Sequence, residues 1–136
     1  MYLLDTDILS NLMKRAPSTA LIARLASTPP DQQFTSSITW GELVYGARRM
    51  GERGTELLRQ IEDRLLPNLA VLPFDRQAAT RYGEVRAELE RIGRPLGDAD
   101  LRIGAIALAR DLTVVTGNVR HFERVPGLAV ENWMEE

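Results

Sequence analysis

Asp5, Glu42, Asp98, Asp100 and Asn118 carry the oxygen atoms of this sequence best suited to chemistry. Asp5 closes the apolar run YLL, with Asp7 two residues on. Glu42 follows the strand-like QFTSS, Asp98 and Asp100 open a largely apolar segment, and Asn118 comes just after LTVVT. Carboxylates gathered in one place repel one another and resist ionisation unless a cation stands among them. No lysine follows Lys14 to serve as that cation. A hard divalent ion, Mg²⁺ or Mn²⁺, would suit: it takes oxygen ligands, commonly one or two carboxylates with water and substrate phosphate. The matching reaction is hydrolysis of a phosphodiester by a metal-activated water, which needs no 2′-hydroxyl as nucleophile.

Each of these residues also has an explanation without chemistry. Asp5 or Thr6 could cap a helix, with Asp7 complementing its dipole. Thr39 and Glu42 have the spacing of a capping box. Asp98 after Gly97 has the form of an N-cap, with Asp100 in a favourable first turn, and a Gly-Asn pair such as Gly117-Asn118 is ordinary turn chemistry. Capping accounts for each acid singly; only their convergence would call for a metal.

That convergence depends on the elements. MYLLD (1–5) reads as a strand and DILSNLMK (7–14) as a short helix. Leu21, Ile22 and Leu25 give residues 18–27 a helical stripe, stopped by TPPD. QFTSS (33–37) reads as a strand and ITWGELVYGARRM (38–50) as a helix. GERG reads as a helix–helix turn, followed by an amphipathic helix from Thr55 that ends before Pro67. LAVLPF is a third strand, residues 75–93 a polar-faced helix and residues 98–111 an apolar one. LTVVT and LAVENW are the last strands. Strands alternating with helices, with no tight hairpin between them, predict an α/β fold: one parallel sheet flanked by helices on both faces. Functional residues of such sheets gather beyond the carboxyl ends of the strands, where Asp5, Glu42, Asp100 and Asn118 all fall.

The chain's 136 residues fit a single domain over 1–136, with one core. There are no cysteines, so disulfides and thiolate zinc are excluded, which suits a cytoplasmic location. No apolar run approaches the ~20 residues that cross a bilayer. A net charge of −2 supplies no general attraction to polyanions, so contact with nucleic acid would need local basic patches. Lys14 is the sole lysine among 17 basic residues; the arginine excess suits bidentate phosphate contacts, or reflects coding bias.

Taken together, LLDTDILS, SSITWGELVYGARR, PLGDADLRIGAIALA and LTVVTGNVRHFERVPGLAVENW resemble the PIN-domain ribonucleases, and within them the VapC-type toxins of bacterial toxin–antitoxin pairs. The resemblance covers nearly the whole chain in order. It implies an endoribonuclease dependent on Mg²⁺ or Mn²⁺, the toxin of a type II system, acting on RNA such as a tRNA or an rRNA loop. It also implies homodimers and inhibition by a small cognate antitoxin. Carried over by position, Asp5, Glu42 and Asp100 are the catalytic and metal-binding acids. Asp100 is preferred to Asp98 because Ile-Gly-Ala follows it after a two-residue gap. Asn118 stands at the fourth position as a possible neutral ligand, while Asp7 and Asp98 stand behind the ligands. The family often has Asp-Thr-Asn where this chain has Asp5-Thr6-Asp7, so Asp7 adds a negative charge. Thr6 and Thr116 border the site, and their hydroxyls are supporting groups that could hold a metal-bound water.

Two other readings compete. LLDTDI fits the Asp-x-Asp nucleophile of haloacid-dehalogenase-like phosphatases, but that chemistry wants a lysine on a later element, as does a response-regulator receiver; Lys14 lies beside the first strand. A catalytically silent PIN-like RNA-binding or scaffold protein would keep the fold without turnover. His121 is the only histidine and is expected on a short exposed helix; one histidine cannot serve as both acid and base in a metal-free ribonuclease. Trp40 and Trp133 are expected to pack rather than to stack on bases. The apolar stripes of the 18–27 and 55–66 helices are expected to serve a homodimer face and an antitoxin groove, beyond what packs on the sheet.

Overall fold

Alternation along the first strand divides the core in two. In a computed structural model, which describes residues 1–135, β1 (Tyr2–Leu4) turns Leu3 to one side of the sheet and Tyr2 and Leu4 to the other. The elements then run α1 (Thr6–Leu12), α2 (Thr19–Ser27), β2 (Gln33–Ser36), α3 (Ser37–Arg49), α4 (Glu52–Gln60), β3 (Ala70–Leu72), α5 (Arg76–Arg91), α6 (Asp98–Arg110), β4 (Thr113–Val115), α7 (Val119–Phe122) and β5 (Val130–Glu131).

The sheet is wholly parallel, in the order β3-β2-β1-β4-β5. Leu3 and Val114 meet Ile103, Ile106 and Ala107 of α6 on one face, with Ala78 of α5 and Phe122 of α7. Leu4 and Val115 meet Ile8 and Leu9 of α1, Leu21 of α2 and Trp133 on the other. Burying each large side chain here stabilises the fold by about 1.5–3 kcal/mol. The expected α/β architecture, helices on both faces, is the one observed. Trp133 is fully buried, edge-on to Tyr2 at 4.8 Å between ring centres, with its indole N–H donating to Glu131 Oε1 at 3.0 Å.

Two helix starts differ from the sequence expectation. The N-cap of α3 is Ser36, whose Oγ accepts from the Thr39 N–H at 3.1 Å. Thr39 is thus inside the helix, and the capping box with Glu42 does not form. The segment GERG is mostly helix: α4 begins at Glu52, and Gly54 packs so closely on α3 that a Cβ there would lie 1.7 Å from the Ala47 carbonyl oxygen. Close approach requires glycine at 54, where sequence alone suggests a turn. After Gln60 the helix widens into a π turn over Ile61–Leu65 and a 3₁₀ turn over Leu66–Asn68, rather than running regularly to Pro67.

Connections leave β1 in one direction toward β2 and β3, while the chain later returns to place β4 on the other side of β1. The carboxyl ends of β1 and β4 therefore flank the point where strand order reverses, the place where open parallel sheets form a crevice.

Candidate metal centre

The buried polar residues mark that crevice. Asp5, Thr35, Ser36, Thr39 and Thr116 are buried, and all lie at or just beyond the carboxyl ends of β1, β2 and β4. Buried polar groups are far more informative than exposed apolar ones, because each must be satisfied where it stands.

Asp5 is the N-cap of α1 by position, yet its side chain caps nothing. Only 3% exposed, it accepts a hydrogen bond from Thr116 Oγ1 at 2.8 Å. Burial, and after it the Asp7 charge, push its pKa up to about 7; Asp100 adds to the rise, while the Thr116 hydroxyl opposes it. Asp7 accepts from the Gly117 N–H at 2.8 Å and lies 3.5 Å from Thr116 Oγ1. Burial raises its pKa too, against the pull of the Gly117 N–H. A Cβ at Gly117 would lie 2.7 Å from Asp7 Oδ2, so this contact needs glycine for space.

Glu42, one turn into α3, accepts from Thr6 Oγ1 at 2.5 Å; the Thr6 oxygen is also 3.2 Å from the Thr39 hydroxyl. Asp100, in the first turn of α6, is 3.2 Å from His121 Nδ1. The Asn118 N–H donates to Thr116 Oγ1 at 2.9 Å. Asp5, Asp7, Glu42, Asp100 and Asn118 line one cavity of about 350 Å³. Sequence positions more than a hundred residues apart thus meet at one sheet edge.

Asp98 takes a different direction. Gly97, not Asp98, is the N-cap of α6. The Asp98 carboxylate accepts from the Tyr82 hydroxyl of α5 at 2.5 Å and pairs with Arg102 Nε at 2.9 Å, an ion pair off hydrogen-bond alignment. The expected role behind the metal ligands is corrected to a bridge between α5 and α6. Thr6 and Thr116 direct their hydroxyl protons to carboxylates, which makes them orienting groups rather than free donors for water.

Three residues of the cavity wall were not anticipated: Ser10, Asn11 and Lys14. They follow Asp7 at helical spacing along and just beyond α1, and that polar stripe is a signal the sequence does contain. Lys14, which the sequence places beside the first strand, lines the cavity. His121 does occupy a short exposed helix, α7, but its ring is turned to Asp100.

Among the described residues, no three acidic or histidine side chains close to metal-ligand spacing. Each carboxylate is bonded to its own neighbour, and the set forms an arc around the cavity. The donors nevertheless fit a hard divalent ion. The acids and Asn118 offer oxygen, the charge of the desolvated Asp5 is opposed by Asp7 and Asp100, and Lys14 is the one basic side chain in the wall against four carboxylates. An arc of carboxylates open to water matches Mg²⁺, which keeps several waters and takes one or two carboxylates.

A second hollow adjoins the first. Met13, Leu43, Ala47, Leu57, Leu58 and Ile61 give it apolar walls from α1, α3 and the α4 segment, and it shares Thr6, Ser10, Lys14 and Glu42 with the acidic cavity. The stripe expected on the 55–66 helix is therefore split, part lining this groove. That of α2 mostly packs inward through Leu21 and Leu25, leaving Ile22 exposed.

The model for the PIN domain matches residues 2–128. The chain is 39% identical over 134 residues to the tRNA(fMet)-specific endonuclease VapC of Shigella flexneri, covering 97% of each. It is 36% identical over 133 residues to ribonuclease VapC2 of Haemophilus influenzae, covering 98% of each. Among solved structures, DNA-bound VapBC from Salmonella typhimurium superposes with a TM-score of 0.88 at 38% identity, covering 97% of each chain. FitAcB from Neisseria gonorrhoeae does so at 0.90 and 30% identity, covering all of both. These matches displace the phosphatase reading.

Proposed function

The chain belongs to the PIN-domain family, and on that premise we propose that it is a metal-dependent endoribonuclease, the toxin of a type II toxin–antitoxin pair. The observation that carries the reading is the meeting of Asp5, Glu42, Asp100 and Asn118 around one cavity at the strand-order reversal. We take the PIN domain to span residues 1–136.

Asp5, Glu42 and Asp100 are the acids that would hold Mg²⁺ or Mn²⁺, with Asn118 as a neutral partner and Asp7 behind Asp5. When bound, the ion supplies an activated water and a positive charge facing the phosphate oxygens. The chain's own contribution is orientation. Thr116 fixes Asp5, Thr6 fixes Glu42, and the Gly117 N–H holds Asp7 at the back of the site. Lys14 in the cavity wall would offer an approaching RNA backbone a point charge.

The apolar groove between α1, α3 and α4 suits an amphipathic segment of an antitoxin, since solved relatives include a toxin–antitoxin complex from Klebsiella pneumoniae and a member of the VapBC family of toxin–antitoxin systems from Mycobacterium tuberculosis. Exposed Ile22 and Tyr45 leave apolar surface for a homodimer to cover. No helix among the described residues is long and apolar enough to cross a membrane; we place the protein in the cytoplasm, with its RNA.

The test is cleavage of tRNA and rRNA fragments, beginning with tRNA(fMet), in Mg²⁺, in Mn²⁺ and in EDTA, with wild type and Asp100→Asn. Cleavage leaving 5′-phosphates, abolished by EDTA and by the substitution, is expected. Undiminished cleavage in EDTA would refute the mechanism, and tight RNA binding without cleavage would favour a silent scaffold.

A further inference from the structure

We propose that His121 is a positioning residue for Asp100 and thereby sets the affinity of the site for its divalent cation. The inference rests on the metal-dependent reading above. It starts from a regularity: every acid of the cavity wall meets a donor distant from it in sequence, with Thr116 near both Asp5 and Asp7. Asp5 has the Thr116 hydroxyl, Asp7 the Gly117 N–H, and Glu42 the Thr6 hydroxyl. For Asp100 that donor is His121, whose Nδ1 lies 3.2 Å from Oδ2, the one side-chain partner of this carboxylate among the described residues.

To bond an ionised carboxylate, which only accepts, Nδ1 must carry the hydrogen. The side chain is half exposed, and among the described residues Nε2 has no hydrogen-bond partner. The ring is held in place from below. Its neighbour Phe122 is fully buried in the cluster with Ile103, Ile106 and Ala107 of α6, so α7 is pinned beside the helix that carries Asp100. A carboxylate fixed in this way meets an ion without first losing rotamer freedom. Partners standing behind ligands are typically worth about 10- to 100-fold in metal affinity.

The two ring nitrogens allow a geometric test. An asparagine amide falls near the place of Nδ1, and a glutamine amide near that of Nε2. Calorimetric titration with MnCl₂ of wild type, His121→Ala, His121→Asn and His121→Gln, with melting temperatures in EDTA as the folding control, separates donor from bulk. Expected are a roughly 10- to 100-fold weaker Mn²⁺ affinity for His121→Ala and His121→Gln, wild-type-like affinity for His121→Asn, and unchanged melting temperatures. In an Asp100→Ala background, His121→Ala should have no further effect. Equal affinity in wild type and His121→Ala overturns the proposal while leaving the nuclease reading intact, as does an equal loss in all three variants. A wild-type protein that binds no Mn²⁺ overturns both.

Discussion

Asp5-Thr6-Asp7 and Asp98-Ala99-Asp100 share a spacing and a place at the mouth of a helix, yet their carboxylates keep different company. The second pair lies within α6, where residues two apart point about 200° apart around the axis. Asp100 turns to the acidic cavity; Asp98 turns to Tyr82 and Arg102. In the first pair Asp5 precedes the helix with an extended backbone, φ −74° and ψ 166°, so helical periodicity does not separate it from Asp7. Both reach the segment after β4, one through Thr116 and the other through Gly117. The pair on α6 thus divides its charge between a cation of the fold and the cavity. The pair on α1 keeps both charges together with no ion-pair partner among the described residues, Lys14 being the one basic side chain of their cavity, and leaves negative charge for an external cation.

Breaking the functional half of each pair should have the largest effect. Asp5→Asn or Asp100→Asn should lower RNA cleavage on the order of 10³-fold, since several kcal/mol of transition-state stabilisation depend on the ion; single-turnover cleavage rates measure it. Loss of less than tenfold would make the two pairs equivalent after all.

Next comes pH. The pKa of Asp5 in the folded chain, about 7, lies above the ordinary 3.8. The folded state therefore holds its proton more tightly than the unfolded one. That contribution is complete below about pH 4 and is lost as pH rises through 7, a change of roughly 2–4 kcal/mol. Urea unfolding in EDTA should show stability declining from pH 4 to 8, with Asp5→Asn flattening the slope and Mg²⁺ restoring more at pH 8 than at pH 5. A flat wild-type profile would contradict the burial of this charge.

Gly117→Ala sharpens the comparison on the α1 side alone. Its Cβ would displace the Asp7 carboxylate from the Gly117 N–H, costing about 1–2 kcal/mol of stability by chemical denaturation. The smallest effect belongs to Asp98→Ala. Exposed on both sides, its contacts with Arg102 and Tyr82 are worth about 0.5–1 kcal/mol, and cleavage rates should stay within about twofold of wild type. A cleavage defect rivalling that of Asp100→Asn would return Asp98 to the site.

The parallel sheet was legible because apolar runs and helical stripes alternate without a hairpin signal between strands. The sheet edge carrying Asp5 and Asp100 followed from that topology. The facing of Asp98 was only half legible: Arg102 follows it at i,i+4 on α6, whereas Tyr82 becomes a neighbour only when α5 packs on α6. The start of α3 was ambiguous for a local reason: Ser36, Ser37 and Thr39 are all good caps, and only the backbone angles select Ser36. GERG read as a turn because its glycines suggest one, whereas Gly54 serves the contact with Ala47. His121 looked idle because nothing local shows that α7 runs past the first turn of α6.

Thr6, Ser10, Lys14 and Glu42 belong to the acidic hollow and to the apolar one beside it. The two rooms share a party wall. A guest lodged in the greasy room leans on the same threonine that steadies Glu42, so an inhibitor seated there has no message to send across the fold. Its neighbour is already the reaction.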